Sequence, residues 1–101
     1  SVRRDLAVLL SRDVPARGVL DAIRGAAGPH LVAAEIFDRY EGTGVPEGRV
    51  SVAFRLVFQR PDRTLLDTEV ARATERVVRM LADRFGGELR QGAGEANPAG
   101  G

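Results

Sequence analysis

The sequence predicts an α+β fold with the element order β-α-β-β-α-β. Three features lead to this prediction: runs in which hydrophobic and polar residues alternate, two stretches in which hydrophobic residues recur at helical spacing, and turn-forming glycine or proline between most of these segments. With 101 residues the chain suits one small domain, since a domain of this size buries only roughly 60 to 70% of its unfolded surface. It has room for one modest core.

The first strand and the first helix are predicted near the start of the chain. Residues 5–11 alternate, and Leu6, Val8 and Leu10 share the face that we expect to be buried. The helix is predicted from about Pro15 to Ala27, because proline suits the first turn of a helix and hydrophobic residues recur at helical spacing behind it. The Gly-Pro pair that follows is a typical helix end.

The second strand is predicted over Leu31 to Tyr40, where the alternation is imperfect. Ile36 and Phe37 are adjacent hydrophobic residues, and neighbours in a strand point to opposite faces. A β-bulge near Phe37 and Asp38, or a substantially hydrophobic outer face, would each explain this pair. Residues 41–49 contain three glycines and a proline, which predicts a long hairpin loop.

The third strand is predicted over Val50 to Gln59, where the alternation is clear. Its core face is expected to consist of Val50, Val52, Phe54, Leu56 and Phe58. Ser51 and Arg55 therefore lie on the other face, which stays uncovered if both helices pack on one side of the sheet.

The last third of the chain predicts a long helix and a short strand. The helix is predicted over about Asp67 to Phe85, with Asp67 or Thr64 as its N-cap. A short terminal strand is predicted over Glu88 to Arg90. Residues 91–101 contain almost no bulky hydrophobic side chain, so we expect this segment to be disordered.

These elements, all within residues 1–90, predict the ferredoxin-like arrangement: a four-stranded antiparallel sheet with two helices on one face. The net charge is only +1, with 15 Lys and Arg against 14 Asp and Glu, so any nucleic-acid contact must be local. The chain has no cysteine, which excludes disulfides and thiolate ligands and agrees with a cytoplasmic location. No hydrophobic run approaches the roughly 20 residues that span a bilayer, and no metal-binding or nucleophile motif accompanies the single histidine, His30.

Asp38, Tyr40 and Ser51 bring a carboxylate, an aromatic ring and a hydroxyl to one end of the predicted hairpin. On the residues alone, the simpler interpretation is that these are ordinary strand-end residues. The other is recognition of a single-stranded base, in which the ring stacks and the carboxylate accepts hydrogen bonds from a guanine edge. Phosphate contacts would then come from nearby arginines, namely Arg39, Arg49, Arg55 and Arg63.

Several segments together resemble a known family: FDRYEG, VPEG, SVAFRLVFQ, and RTL followed by DTEV. Over about Arg4 to Arg90, the chain resembles the ferredoxin-fold anticodon-binding domain at the C-terminus of the bacterial phenylalanine–tRNA ligase β subunit. The resemblance implies a fragment of a longer enzyme that recognises the anticodon of phenylalanine tRNA. It further implies that Tyr40 stacks on the first anticodon base, a guanine, and that Asp38 and Ser51 make polar contacts with that base. Phe37 is expected to be a packing residue.

The chain departs from the common family pattern at two positions. Val50 stands where a lysine often precedes the serine, which removes one phosphate contact. Leu66 stands where a threonine commonly caps the second helix, so Asp67 is expected to take over the cap.

The resemblance also implies that this domain has no catalytic centre, metal or cofactor of its own. ATP and magnesium would be used elsewhere in the parent enzyme, whose α subunit and remaining β subunit are the expected protein partners. Two other hypotheses fit the same fold. One is a small-molecule-binding or regulatory module, and the other is a small hydrolase of the acylphosphatase type, although the only asparagine is Asn97 in the predicted tail.

Overall fold

A computed structural model describes residues 1–94. The elements are β1 (Val2–Ser11), α1 (Ala16–Ala27), β2 (Leu31–Tyr40), β3 (Arg49–Phe58), α2 (Asp67–Phe85) and β4 (Glu88–Gly94). The strands form one antiparallel sheet in the order β2-β3-β1-β4, so β1 and β3 are central and β2 and β4 are edges. This confirms the predicted ferredoxin-like fold.

The core lies between the two helices and one face of the sheet. Alternate residues of the central strands point into it, as the alternation of the sequence predicts. Its most deeply buried side chains are Leu6, Val8, Leu10, Val19, Ile23, Val50, Val52, Phe54, Leu56, Phe58, Val70, Val77 and Leu81. Because both helices contribute to this one core, the opposite face of the sheet, called the open face below, carries no helix.

The first half of the chain follows the prediction closely. The strand β1 begins at Val2, earlier than expected, because Val2 to Arg4 pair with the end of β3. The helix α1 begins at Ala16, one residue after Pro15, which is its N-cap. The strand β3 occupies Arg49–Phe58 rather than residues 50–59.

A β-bulge interrupts β2 at Phe37, where the sequence left a bulge and a hydrophobic outer face as alternatives. Ile36 pairs with Phe54, whereas Asp38 pairs with Ala53, so Phe37 is the additional residue. The bulge therefore reverses the alternation of β2 beyond this point.

The helix α2 begins at Asp67 as predicted, but its cap differs from the prediction. Neither Asp67 nor Thr64 caps the helix: the N-cap position is Leu66, and no side chain caps it in the way that was expected. Instead, the Leu66 N–H donates to Oε1 of Glu69 at 2.9 Å, and Arg63 donates to both Glu69 oxygens at 2.9 and 2.7 Å. Glu69 in the first turn thus accepts a hydrogen bond from the backbone N–H of the N-cap residue, which would otherwise lack a partner in the helix.

The strand β4 is longer than predicted. It continues from Arg90 to Gly94, and Gly94 pairs with Arg4 of β1. The prediction of disorder is therefore wrong for residues 91–94, because backbone pairing with β1 requires no bulky side chain. Residues 95–101, for which disorder was also predicted, lie outside the described part of the chain.

Candidate nucleic-acid interface

A shallow hollow of about 490 Å³ lies on the open face of the sheet. Its lining residues come from all four strands: Asp5, Leu6, Ala7, Phe37, Asp38, Tyr40, Ser51, Ala53 and Arg90. Ala7 and Ala53 are cross-strand partners on the central strands, and their small side chains let a flat ligand approach the sheet. The hollow thus combines a small-residue floor with aromatic and charged walls.

Asp38, Tyr40 and Ser51, the three candidate base-contact residues, all line this hollow. Tyr40 pairs with Ser51 and Asp38 pairs with Ala53, which places the three side chains on the same face. The bulge in β2 produces this arrangement. Ser51 lies on the open face as predicted, but its neighbours leave it only 7% exposed, whereas Tyr40 is 42% exposed.

The loop between β2 and β3 holds the Tyr40 ring in place. The Tyr40 hydroxyl donates to the Thr43 carbonyl oxygen at 3.0 Å. At Gly42, φ is +131°, and a Cβ atom there would lie 3.3 Å from the Tyr40 hydroxyl oxygen. Arg12 anchors the start of the loop by donating to Oε1 of Glu41 from Nε at 3.1 Å and from Nη2 at 2.7 Å. The ring is therefore oriented before any ligand binds.

Asp38 has a local partner of its own. Its Oδ1 accepts a hydrogen bond from the Arg39 backbone N–H at 2.9 Å. A carboxylate has a second oxygen and further lone pairs, so Asp38 can still accept from a ligand in the hollow.

Two of the four candidate phosphate-binding arginines make intramolecular hydrogen bonds away from the hollow. Arg49 donates from Nη2 to the Leu9 and Gly86 carbonyl oxygens at 2.9 and 3.3 Å. Arg63 lies before α2 and is paired with Glu69. These contacts tie loops to the sheet and to α2, which is a structural role.

The other two candidate arginines differ from each other. Arg39 makes no side-chain hydrogen bond or ion pair with the described residues, but it pairs with Val52 on the helix side of β2 and lines a different, narrow cleft. Arg55 lies on the open face, where its Nε donates to Oδ1 of Asp5 at 3.3 Å and its guanidinium is 4.3 Å from the centroid of the Phe37 ring.

Sequence reasoning did not identify two residues of the hollow as contacts for a ligand. Phe37, expected to pack, is 44% exposed, because it follows the core-facing Ile36 and so lies on the open face. Arg90 of β4 also lines the hollow, and within residues 1–94 its side chain has no hydrogen-bond or ion-pair partner. In the sequence, the only indication of this role was that Arg90 stands at the end of the predicted terminal strand.

The clear pKa shifts lie away from the hollow, around the segment before α2. The hydrogen bond from Arg63, and then that from the Leu66 N–H, lower the pKa of Glu69 to about 2. The hydrogen bond from Arg60 lowers the pKa of Asp62. Within residues 1–94, no group of three or more His, Cys, Asp or Glu side chains is placed to hold a metal ion, and neither helix is long and apolar enough to cross a membrane.

Comparison with known proteins identifies the family of this chain. The family model of the ferredoxin-fold anticodon binding domain matches residues 1–90. The chain is 52% identical over 91 residues to the phenylalanine–tRNA ligase beta subunit of Moorella thermoacetica, with 90% of this chain and 11% of that protein covered. It is 46% identical to the same subunit of Pseudomonas fluorescens, with 89% and 11% covered. For the subunit of Coxiella burnetii the identity is 43%, with 89% and 12% covered. The chain belongs to the ferredoxin-fold anticodon binding domain family.

Proposed function

We propose that this domain binds the anticodon of phenylalanine tRNA as the anticodon-binding module of a phenylalanine–tRNA ligase β chain. The main support is the hollow on the open face, where Asp38, Tyr40 and Ser51 lie together. The family match and the names of the relatives supply the kind of RNA. The domain itself contributes recognition and no catalytic centre.

Stacking is the main attraction in the proposed complex. The Tyr40 ring is exposed and held by its bond to the Thr43 carbonyl oxygen, so little ordering is required when a base stacks on it. Single-stranded bases are recognised in this way, through aromatic stacking together with hydrogen bonds to their edges. The ring accepts any base, so specificity must come from the polar groups beside it.

Those polar groups suit a guanine as the first anticodon base. The free oxygen of Asp38 accepts hydrogen bonds from the N–H groups on the guanine edge, which adenine, cytosine and uracil do not present in the same pattern. The Ser51 hydroxyl donates or accepts at the floor of the hollow. Arg90, which has no partner within residues 1–94, supplies a positive charge for a phosphate or a base acceptor.

The remaining steps of the reaction belong to the parent enzyme. This chain spans only 11 to 12% of the length of the relatives that it matches. We propose that the rest of the β subunit and an α subunit are its protein partners, and that they use ATP and magnesium for aminoacylation in the cytoplasm. The small domain then adds its contacts at high effective concentration while the enzyme holds the tRNA elsewhere.

Titration of the ¹⁵N-labelled chain with an anticodon stem-loop tests the proposal by NMR. Backbone signals around Asp38, Tyr40 and Ser51 should shift, and less so when the first anticodon base is changed. Tyr40→Ala should weaken binding roughly 5- to 150-fold, because stacking contributes roughly 1 to 3 kcal/mol per base. Tyr40→Phe is the matched control, since it keeps the ring and removes only the bond to Thr43. Shifts confined to other surfaces, or unchanged affinity of Tyr40→Ala, would reject the proposed site.

A further inference from the structure

We infer that Phe37, supported by Arg55, forms a second nucleobase platform beside Tyr40. This platform would take the base next to the one stacked on Tyr40, and the inference rests on the proposed function. It assigns a ligand-binding role to a phenylalanine that, from the sequence, is expected to pack inside the protein.

The position of Phe37 is unusual among the phenylalanines of this chain. Of the four, Phe54 and Phe58 are 0% and 1% exposed and Phe85 packs against the core, whereas Phe37 is 44% exposed. Phe37 follows Ile36, which faces the core, so the Phe37 ring lies on the open face and lines the hollow. An exposed aromatic ring beside a polar site is typical of a binding surface.

Arg55 holds the ring from one side. Its guanidinium carbon lies 4.3 Å from the Phe37 ring centroid, within the range of a cation–π contact. The guanidinium is itself fixed by Asp5 at 3.3 Å and lies 3.9 Å from Glu35. One ring face is therefore covered by a rigid support, and the exposed surface remains for a base.

The same contacts change the role expected for Arg55. With two carboxylates close to its guanidinium and a ring over it, Arg55 is neutralised within the sheet and is poorly available to a phosphate. Its contribution to RNA binding is to position Phe37.

The spacing of the two rings suits bases that are not stacked on each other. Phe37 and Tyr40 are three positions apart in β2. Because Phe37 is the additional residue of the bulge, this corresponds to about 7 to 10 Å along the strand. Stacked bases are only about 3.4 Å apart. Two consecutive bases could occupy both rings only when splayed, which is how single-stranded loops are commonly recognised. The short side chain of Ala53, paired with Asp38 between the rings, leaves room for the backbone turn.

A stem-loop with 2-aminopurine at the second anticodon position tests this inference, because stacking on an aromatic ring quenches its fluorescence. The wild-type chain should quench this probe. Phe37→Leu keeps hydrophobic cover over Arg55 but removes the flat ring, so it should abolish the quenching and weaken binding roughly 5- to 150-fold. Phe37→Tyr keeps a flat ring, so it should retain both the quenching and the affinity of the wild-type chain. Val32→Ala is the matched control, because Val32 is another exposed hydrophobic residue of β2, 57% exposed, outside the hollow.

The outcomes separate this inference from the proposed function. If wild-type chain binds without quenching the probe, or if Phe37→Leu binds and quenches like wild type while Tyr40→Ala is weakened, the second platform is wrong and the anticodon site stands. If neither substitution changes binding, the anticodon site fails as well. Loss of quenching in Phe37→Tyr would also overturn the inference, since it would show that a flat ring at this position is not enough to quench the probe.

Discussion

At the scale of single residues, one additional residue in β2 brings the three candidate base-contact residues to one face of the sheet. Without the bulge at Phe37, regular alternation would place Asp38 and Tyr40 on the helix side, away from Ser51. The adjacent Ile36 and Phe37 signal this irregularity in the sequence. Alternation predicted the side of Ser51 correctly, but the family resemblance was needed to give these residues a role.

Arg90 shows why part of the site escaped prediction. It belongs to an edge strand whose pairing with β1 shifts register between Ala7 and Val8. The face on which an edge side chain lies depends on that shift, and a stretch with a single bulky hydrophobic residue, Leu89, gives no alternation from which to infer it.

Arg90→Gln should weaken stem-loop binding about fivefold, because a hydrogen bond of this kind contributes about 1 kcal/mol. Arg79→Gln is the matched control: Arg79 is exposed on α2 and unpaired within residues 1–94, so it changes the net charge equally without touching the hollow. Equal losses in the two variants, measured by fluorescence anisotropy, would mean that only the net charge matters and that Arg90 makes no specific contact.

At the scale of elements, periodicity predicted the helices and central strands well, because their hydrophobic faces build one core. It missed the length of β4, where residues 91–94 continue the backbone pairing with β1. It also predicted the wrong cap for α2: no side chain caps the helix, and a glutamate in its first turn, held by an arginine from the preceding loop, accepts from the N-cap N–H. Such arrangements depend on tertiary contacts that local sequence patterns do not show.

The arrangement at the start of α2 makes stability depend on pH. Hydrogen bonds from Arg63 and Leu66 lower the pKa of Glu69 from 4.5 to about 2. A folded-state pKa below the unfolded value stabilises the fold fully above about pH 4.5, and this stabilisation is lost as the pH falls towards 2.

Glu69→Gln should therefore lower the free energy of unfolding at pH 6, and the difference from wild type should shrink between pH 4.5 and 2. Urea denaturation followed by circular dichroism at several pH values measures this. Glu75→Gln, which changes an exposed glutamate of the same helix with no ion pair within residues 1–94, should show little difference at any pH. A difference for Glu69→Gln that stayed constant from pH 6 to 2 would contradict the assigned role.

At the scale of the whole molecule, most charges near the sheet are used internally. Arg12, Arg49, Arg55 and Arg63 all face carboxylates, and the net charge is only +1. The domain therefore has no broad positive field to attract RNA. In the proposed complex, affinity must come from the hollow and from Arg90 in its lining, which is unpaired within residues 1–94. Arg39 is also unpaired there but lies on the helix side of the edge strand β2.

This distribution of charge predicts a weak dependence of binding on salt. Each phosphate contact to single-stranded RNA makes the slope of log K against log salt concentration more negative by about 0.7. Arg90 alone then gives a slope of about −0.7, and a second contact to Arg39 around the edge of the sheet gives about −1.4 at most. Affinity for the stem-loop should then fall only about threefold to sevenfold between 50 and 200 mM salt. A slope near −4 would require about six phosphate contacts. Arg39 and Arg90 supply two at most, and the others could come from exposed arginines of the helices that make no ion pair within residues 1–94, namely Arg17, Arg72, Arg79 and Arg84. Such a result would place the RNA across the helices instead of on the open face, so the salt slope tests the position of the site independently of any substitution within it.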